Sequence, residues 1–423
     1  MQTTLWMGSL LVAATVLAAE PAPVAIHSRH VLDVKSGTSS DEYIVVQGDR
    51  IASIAKSAPT GARLIDLGDA TVVPGFIDCH VHLLFDWTDL SSTGWLRLTA
   101  GQRTLWGMRN AQEYLRNGFT TLRDAGEADM SYGQVALRDA FAKGWFDGPR
   151  LSVAGIPIST TGGHADFDVL APDFRTPPTP NIADTPDQVR IAARHDLKYG
   201  VDWVKMMGTG GVTDPLSDFN TQEMSDEMFR AAVEVVHRAH RRVMVHAEGT
   251  DGIKAAVRAG VDTIEHGTVL DEEGAKLMAE HGTWLVPTLE TFQRGVEIGL
   301  SQGQEPVMLE KTKAILKYQQ KAFDYALKYH VKIAFGLDDE PRVVAREFDA
   351  LVKAGLTPLQ ALQAATINAA ELLQMSNDVG SLEPGHYADV VALDGDPLRD
   401  IKSTAKVVFV MKGGKVILSP VAK

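Results

Sequence analysis

The tightest constraint on the fold is a repeated cadence: a helix-patterned stretch, a glycine, then a short apolar run. It occurs at Gly118 before Phe119-Thr120-Thr121-Leu122, at Gly200 before Val201-Asp202-Trp203-Val204-Lys205, and at Gly260 before Val261-Asp262-Thr263-Ile264. Short apolar runs alternating with helical patterns read as parallel strands joined by helical crossovers. Eight candidate strands end near His82, Asp124, Gly155, Lys205, His246, His266, Thr288 and Asp338. Eight such units predict an α/β fold, a (β/α)8 TIM barrel, with functional groups delivered at the strand C-termini. Thr185-Pro186-Asp187-Gln188 reads as a helix start with a capping box and proline at the first helical position. Thr357-Pro358 opens another helix, with Leu359, Leu362, Thr366, Ala369 and Leu373 at helical spacing.

The two ends have a different texture. Tyr43-Ile44-Val45-Val46 and Ile51-Ala52-Ser53-Ile54 flank a Gly48-Asp49 turn, and Lys412-Gly413-Gly414-Lys415 closes a last hairpin before Val416. Residues 20–73 and 378–423 are therefore expected to form one small β-sandwich domain built from both termini, around a barrel over 74–377. Residues 1–19 carry no charge and run apolar from Leu5 to Ala19, ending on Val16-Leu17-Ala18. This reads as a secretory signal, although no Lys or Arg precedes the apolar run; the alternatives are a buried helix or an anchor. Export to the periplasm or medium, with no membrane contact after signal removal, is the expectation. A single cysteine, Cys79, leaves no intramolecular disulfide to form. With 41 basic against 54 acidic side chains, the net charge of −13 and the lack of a basic run argue against nucleic acid.

Chemistry concentrates at the candidate strand ends. In Pro74-Gly75-Phe76-Ile77-Asp78-Cys79-His80-Val81-His82, residues i and i+2 share a side, so His80 and His82 present two imidazoles together. Alone, such a pair fits a structural role as well as a metal site. Lys205, His246, His266 and Asp338 close four further strands, and that register makes chance core histidines a poor account. Cys79 points away from the imidazoles and reads as a core residue.

These motifs resemble the amidohydrolase superfamily, and within it the binuclear-metal prolidase-like, imidazolonepropionase-like and ochratoxin-hydrolysing members. The likeness rests on the His80-Val81-His82 run, Val204-Lys205, Val245-His246-Ala247, Ile264-Glu265-His266-Gly267, Gly336-Leu337-Asp338 and the C-terminal Gly380-Ser381-Leu382-Glu383-Pro384-Gly385. The resemblance implies two divalent metal ions, zinc foremost. His80, His82 and Asp338 would hold one, His246 and His266 the other, and a carboxylated Lys205 would bridge them. A bridging hydroxide would attack the amide carbonyl, with Asp338 moving the proton to the leaving nitrogen. His164, in Gly162-Gly163-His164-Ala165, would stabilise the oxyanion; the alternative is a loop anchor. Two cations against a carbamate, Asp338 and hydroxide leave the cluster net positive, which would draw an anionic substrate.

Two departures from the family pattern stand out. Glu248 follows Ala247 where many relatives carry a second histidine, and reads as a group orienting His266 or a substrate amine, or as an ordinary ion pair. Asp339, next to Asp338, rivals it for the metal position. Phe85, Trp87 and Trp95 are candidate contacts for a bulky acyl group, or plain loop packing. Arg123 and Arg294 are candidate forks for a substrate carboxylate, though Arg123-Asp124 fits a structural pair equally well. The function expected is hydrolysis of a small-molecule amide, an N-acyl amino acid or dipeptide, with ochratoxin A a leading compound and a homo-oligomer the expected assembly. Alternatives are hydrolysis of a cyclic amide, lactone or phosphotriester, and a non-catalytic metal-containing binding protein.

Overall fold

A computed structural model describes residues 22–91, 93–166, 171, 173 and 179–419. The apolar leader and much of the Pro-rich stretch after the third candidate strand lie outside the described residues. β1 (Val24–Asp33), β2 (Thr38–Gln47) and β3 (Arg50–Ala55) form an antiparallel meander, and Gln47 opposes Arg50 across the Gly48-Asp49 turn. β4 (Arg63–Asp66) and β5 (Thr71–Pro74) run parallel to β1.

The middle of the chain supplies two parallel sheets. β6 (Phe76–Val81), β7 (Phe119–Asp124) and β8 (Arg150–Val153) form the first. β9 (Trp203–Met207), β10 (Arg242–Ala247), β11 (Thr263–His266) and β12 (Trp284–Val286) form the second. Helices separate successive strands, among them Asp226–Arg238 between β9 and β10 and Thr250–Ala259 between β10 and β11. Every residue of β6, β7, β9 and β11 is buried, as expected of strands covered on both faces. β13 (Val390–Leu393), β14 (Val407–Lys412) and β15 (Lys415–Leu418) return to the mixed sheet of β1–β5, whose order β15-β14-β13-β5-β1-β2-β3 joins both ends of the chain.

Backbone hydrogen bonds link the two parallel sheets at their edges. Asp202 N donates to Val153 O (2.8 Å) and Ile158 N to Lys205 O (2.9 Å). On the other side Ala334 N donates to Leu285 O (3.0 Å), while Cys79 N donates to Phe335 O (2.8 Å) and Asp338 N to His80 O (3.0 Å). The eighth expected strand is thus an extended segment with one isolated bridge, Leu285 to Ile333, instead of a regular ladder. The cause is close approach. A Cβ on Gly336 would lie 2.4 Å from Val286 Cγ1 and 2.8 Å from His80 Cβ, so only glycine lets the segment press against β6.

The helix after Thr357 also departs from expectation. It has the capping box with Gln360 but stops at Ala364, and a second short helix spans Ile367–Leu372. The break occurs where Ala364 O and Ala365 O accept from Phe335 N (3.0 Å) and Ile77 N (2.8 Å), diverting helix carbonyls to the strands. At Thr185 the hydroxyl accepts from Gln188 N (3.3 Å), but the Gln188 side chain accepts from Asp184 N (2.8 Å), one residue short of a capping box. Among the described residues no helix is long and apolar enough to cross a membrane.

Asp78 fixes the approach of the last segment to β6. Fully buried, its Oδ1 accepts from His80 N (2.9 Å) and Leu337 N (3.3 Å), and burial pushes its carboxyl well above the usual range. Asp78→Ala orphans both amides and should cost about 1–3 kcal/mol for each unpaired group, read as a lowered urea midpoint. Asp78→Asn keeps an acceptor and should lose far less. Equal losses in the two variants would assign the effect to packing.

Candidate active site

The strand ends surround a cavity of about 290 Å³. His80, His82, Lys205, His246, His266 and Asp338 all line it, together with His164, Glu248, Phe85, Trp87, Trp95 and Arg294. The parallel register explains the convergence. His246 opposes Glu265 and Ala247 opposes His266, so β10 and β11 deliver their histidines at one level.

Each imidazole is oriented by a distinct partner. His80 Nδ1 donates to Glu265 Oε2 (2.7 Å) and His82 Nδ1 to Gly126 O (2.6 Å), which frees both Nε2 atoms toward the cavity. His246 Nε2 donates to Gly210 O (3.2 Å), and His266 Nδ1 lies 2.7 Å from Thr288 Oγ1. Burial, reinforced by neighbouring Lys205, holds His80, His82 and His266 neutral; burial with His164 and His266 nearby does so for His246. His82 falls to about 4. Neutral imidazoles with one ring nitrogen tied back are the form that ligates metals.

The donor set fits a metal centre. His80 Nε2 is buried without a hydrogen-bond partner. His80, His266 and Asp338 offer ligand atoms within 4.8 Å of one another, and Asp338 Oδ1 lies 3.5 Å from His82 Nε2. This grouping places His266 with His80 and Asp338, whereas the sequence reading paired it with His246 alone. Lys205 is 1% exposed, and burial pulls its ammonium down toward the neutral amine that a carbamate requires. Burial in turn pushes the Asp338 carboxyl up.

Asp338 and Asp339 have separate roles. Asp338 faces the histidines, whereas Asp339 accepts from Arg294 Nε (3.2 Å). Arg294 also binds Glu340, so it lines the cavity with its guanidinium already engaged. His164 stacks on His246 (ring centroids 4.3 Å apart), and its Nδ1 lies 2.7 Å from Asp214 Oδ2. Burial opposes ionisation of Asp214, yet the His164 hydrogen bond and charge hold its carboxyl well below the ordinary range. Phe85 and Trp87 meet edge-on at 5.0 Å in the wall. Glu248 is 1% exposed, burial pushes it up to about 8, and it makes no ion pair with any described residue. The simple ion-pair reading of this residue is therefore corrected.

Arg123 requires the larger correction. It is fully buried and absent from the cavity wall, so it cannot receive a substrate carboxylate. Its Nη2 donates to both oxygens of Glu265 (2.9 Å each), its Nε to Cys79 O (2.5 Å), and the guanidinium lies 4.6 Å from the Trp203 ring centre. Asp124 accepts instead from Leu83 N (3.2 Å) and Gly126 N (3.0 Å). Glu265 is the site residue to which the sequence reading assigned no role. A carboxylate inside an apolar strand beside His266 had to be paired, and that was its signal. Arg103, on the cavity wall with Nη2 on Asp129 (3.0 Å), carried no comparable mark.

Parallel strands delivering neutral imidazoles, a carboxylate and a buried lysine into one aromatic-walled cavity define a hydrolase with a donor set suited to divalent metals. Residues 71–417 match the family model described as the Amidohydrolase family, and the chain belongs to that family. Ochratoxinase of Aspergillus niger is 33% identical over 377 residues, covering 82% of this chain and 76% of that protein. A solved Xaa-Pro dipeptidase with bound methionine in the active site superposes with a TM-score of 0.88 at 32% identity, covering 93% of this chain and 99% of that one. A prolidase complexed with n-methylphosphonate-L-proline gives a TM-score of 0.86 at 32% identity, covering 94% and 100%.

Glu265 generates a test. Glu265→Gln should weaken the binding of added zinc about 10–100-fold, the scale for losing a group that orients a candidate metal-ligating histidine. Competition against a chromophoric chelator measures it. Because Gln leaves Arg123 charged and unpaired, the double variant Glu265→Gln/Arg123→Met restores neutrality and separates folding from metal binding. Unchanged affinity in the double variant would mean that packing alone orients His80.

Proposed function

We propose that this amidohydrolase cleaves the amide bond of dipeptides or N-acyl amino acids, with two divalent cations held at the strand ends. The observation that carries the reading is the convergence of four neutral imidazoles, Lys205 and Asp338 under the Phe85–Trp87 wall of one cavity. In this reading the two parallel sheets and the segment ending at Asp338 are arcs of one (β/α)8 barrel over 74–377, and the mixed sheet is a separate domain from both termini. Export through residues 1–19 belongs to the same proposal. The similarity to ochratoxinase and to structures holding methionine or a proline phosphonate supports an amino-acid amide as substrate.

His80, His82, His246, His266 and Asp338 would hold the two cations, with His80, His266 and Asp338 the closest-set donors and Lys205 available beside them as a carbamate. When bound, the cations polarise the scissile carbonyl and acidify water enough for its deprotonation near neutral pH. Asp338 takes the proton of the attacking water and returns it to the leaving nitrogen; burial makes it the stronger base. His164, held through Nδ1 by Asp214, donates from Nε2 to the carbonyl oxygen as that atom gains negative charge. The aromatic wall shelters the acyl side from water.

The deciding experiment is a zinc-reconstituted screen of methionyl-proline, ochratoxin A and simple lactones, with products identified by mass spectrometry. Release of the C-terminal amino acid, lost on chelation and restored by metal, is the expected result. Lactone cleavage alone would replace the amide reading. Asp338→Asn should lower kcat about 10²–10⁴-fold without loss of fold. His164→Ala should keep its metals by elemental analysis and lower kcat about 10²–10³-fold. Normal turnover in the second variant would reduce His164 to a loop anchor.

A further inference from the structure

Glu248 is a carboxyl at the cavity that the chemistry above does not employ; within the fold Thr268 is the hydrogen-bonding group beside it. Its backbone is pinned: the amide donates to Thr209 Oγ1 (2.9 Å) and the carbonyl accepts from Val269 N (3.0 Å). Two residues beyond His246 on extended chain, the side chain turns to the same side as the imidazole. It lines the cavity with Lys205 and His266, yet the residue is 1% exposed and Oε2 has no hydrogen-bond partner. A buried carboxyl left incomplete is costly, and it is retained where something outside the folded chain completes it.

The missing partner must carry hydrogen-bond donors. The rest of the wall points to an organic cation. Among the described lining residues, the acidic Asp86, Asp89, Glu127, Asp129, Asp166, Asp214, Asp338 and Asp339 outnumber the basic Arg103, Arg294 and Lys205; Arg103 and Arg294 are held by Asp129 and Asp339, while Asp89 and Asp214 pair with Arg97 and Lys311. A positive metal cluster repels an ammonium group, so a substrate bearing one near the scissile bond needs a carboxylate placed against it.

We propose that Glu248 accepts a hydrogen bond from the free α-ammonium group of the substrate, so that unblocked dipeptides are preferred to N-acylated amino acids. The inference rests on the amide-hydrolase reading and narrows its substrate class. Glu248 thereby acts as a specificity determinant, distinct from the groups that move protons.

The test compares methionyl-proline with its N-acetyl form on zinc-reconstituted wild type and Glu248→Gln, with metal content measured in both. Wild type should favour the free dipeptide. Glu248→Gln should lose about 10–100-fold in kcat/KM on that dipeptide, the scale of a hydrogen bond to a charged group, and much less on the acetylated one. Equal losses on both peptides, or no preference in wild type, would overturn the proposal. Inhibition of wild type by methionine against N-acetylmethionine makes the same comparison without a variant: tighter inhibition by methionine supports it, and equal inhibition overturns it. If wild type cleaves neither peptide nor ochratoxin A, the amide-hydrolase reading itself fails, an outcome distinct from cleavage of both peptides at equal rates.

Discussion

The ion pair between Arg123 on β7 and Glu265 on β11 is the interaction on which the site depends. Both side chains are fully buried, and the pair reaches from the three-stranded sheet to the four-stranded one. Arg123 also binds Cys79 O, and Glu265 carries His80 Nδ1, so one charge pair locates β6, β7 and β11 together. Buried pairs add little net stability against apolar replacements, but losing one member leaves a charge in the core and costs about 3–5 kcal/mol. Its value here is geometric. The pair sets the tautomer and aim of His80, and the Asp78 hydrogen bonds hold the segment that carries Asp338 beside it.

Burial is the second organising force. It holds the four strand-end imidazoles neutral, pulls Lys205 toward a free amine and pushes Asp338 and Glu248 upward. Neutral imidazoles and a lysine drawn toward its free amine are poised for cations, and that one environment unites groups from five segments of the chain. Backbone strain collects at the same level. His266, Thr288 and Asp338 have φ of 69°, 45° and 58°, left-handed values uncommon for residues with side chains. The strand ends therefore turn sharply just where their side chains must face one cavity.

Much of the site was legible because strand geometry is simple. The i, i+2 rule placed His80 beside His82, and the glycine-led runs placed Lys205, His246, His266 and Asp338 at strand ends. Adjacent candidates were harder to separate. Asp338 and Asp339 differ by one residue, and only the turn at positive φ shows that the first faces the histidines while the second faces Arg294. Arg123 misled for a related reason: a position near a strand end does not say whether the side chain leaves the sheet above or below the last layer of packing. The eighth strand read as regular, but Gly336 allows an approach to β6 too close for a full ladder.

The sequence by itself determined the parallel architecture, the pairing of both termini in one sheet and the identity of the metal-competent side chains. Periodicity and turn chemistry are local properties, and local properties can be read along a chain. Only the tertiary structure decided which carboxylates are paired and which are free. Glu265 meets Arg123 from 142 positions away in sequence, whereas Glu248 has an oxygen with no partner. Partnership of a buried charge depends on what folds against it, and no spacing rule encodes that. The same limit applies to the electrostatics. The carboxylates lining the cavity come from several separate loops, and their summed field exists only once the chain has folded.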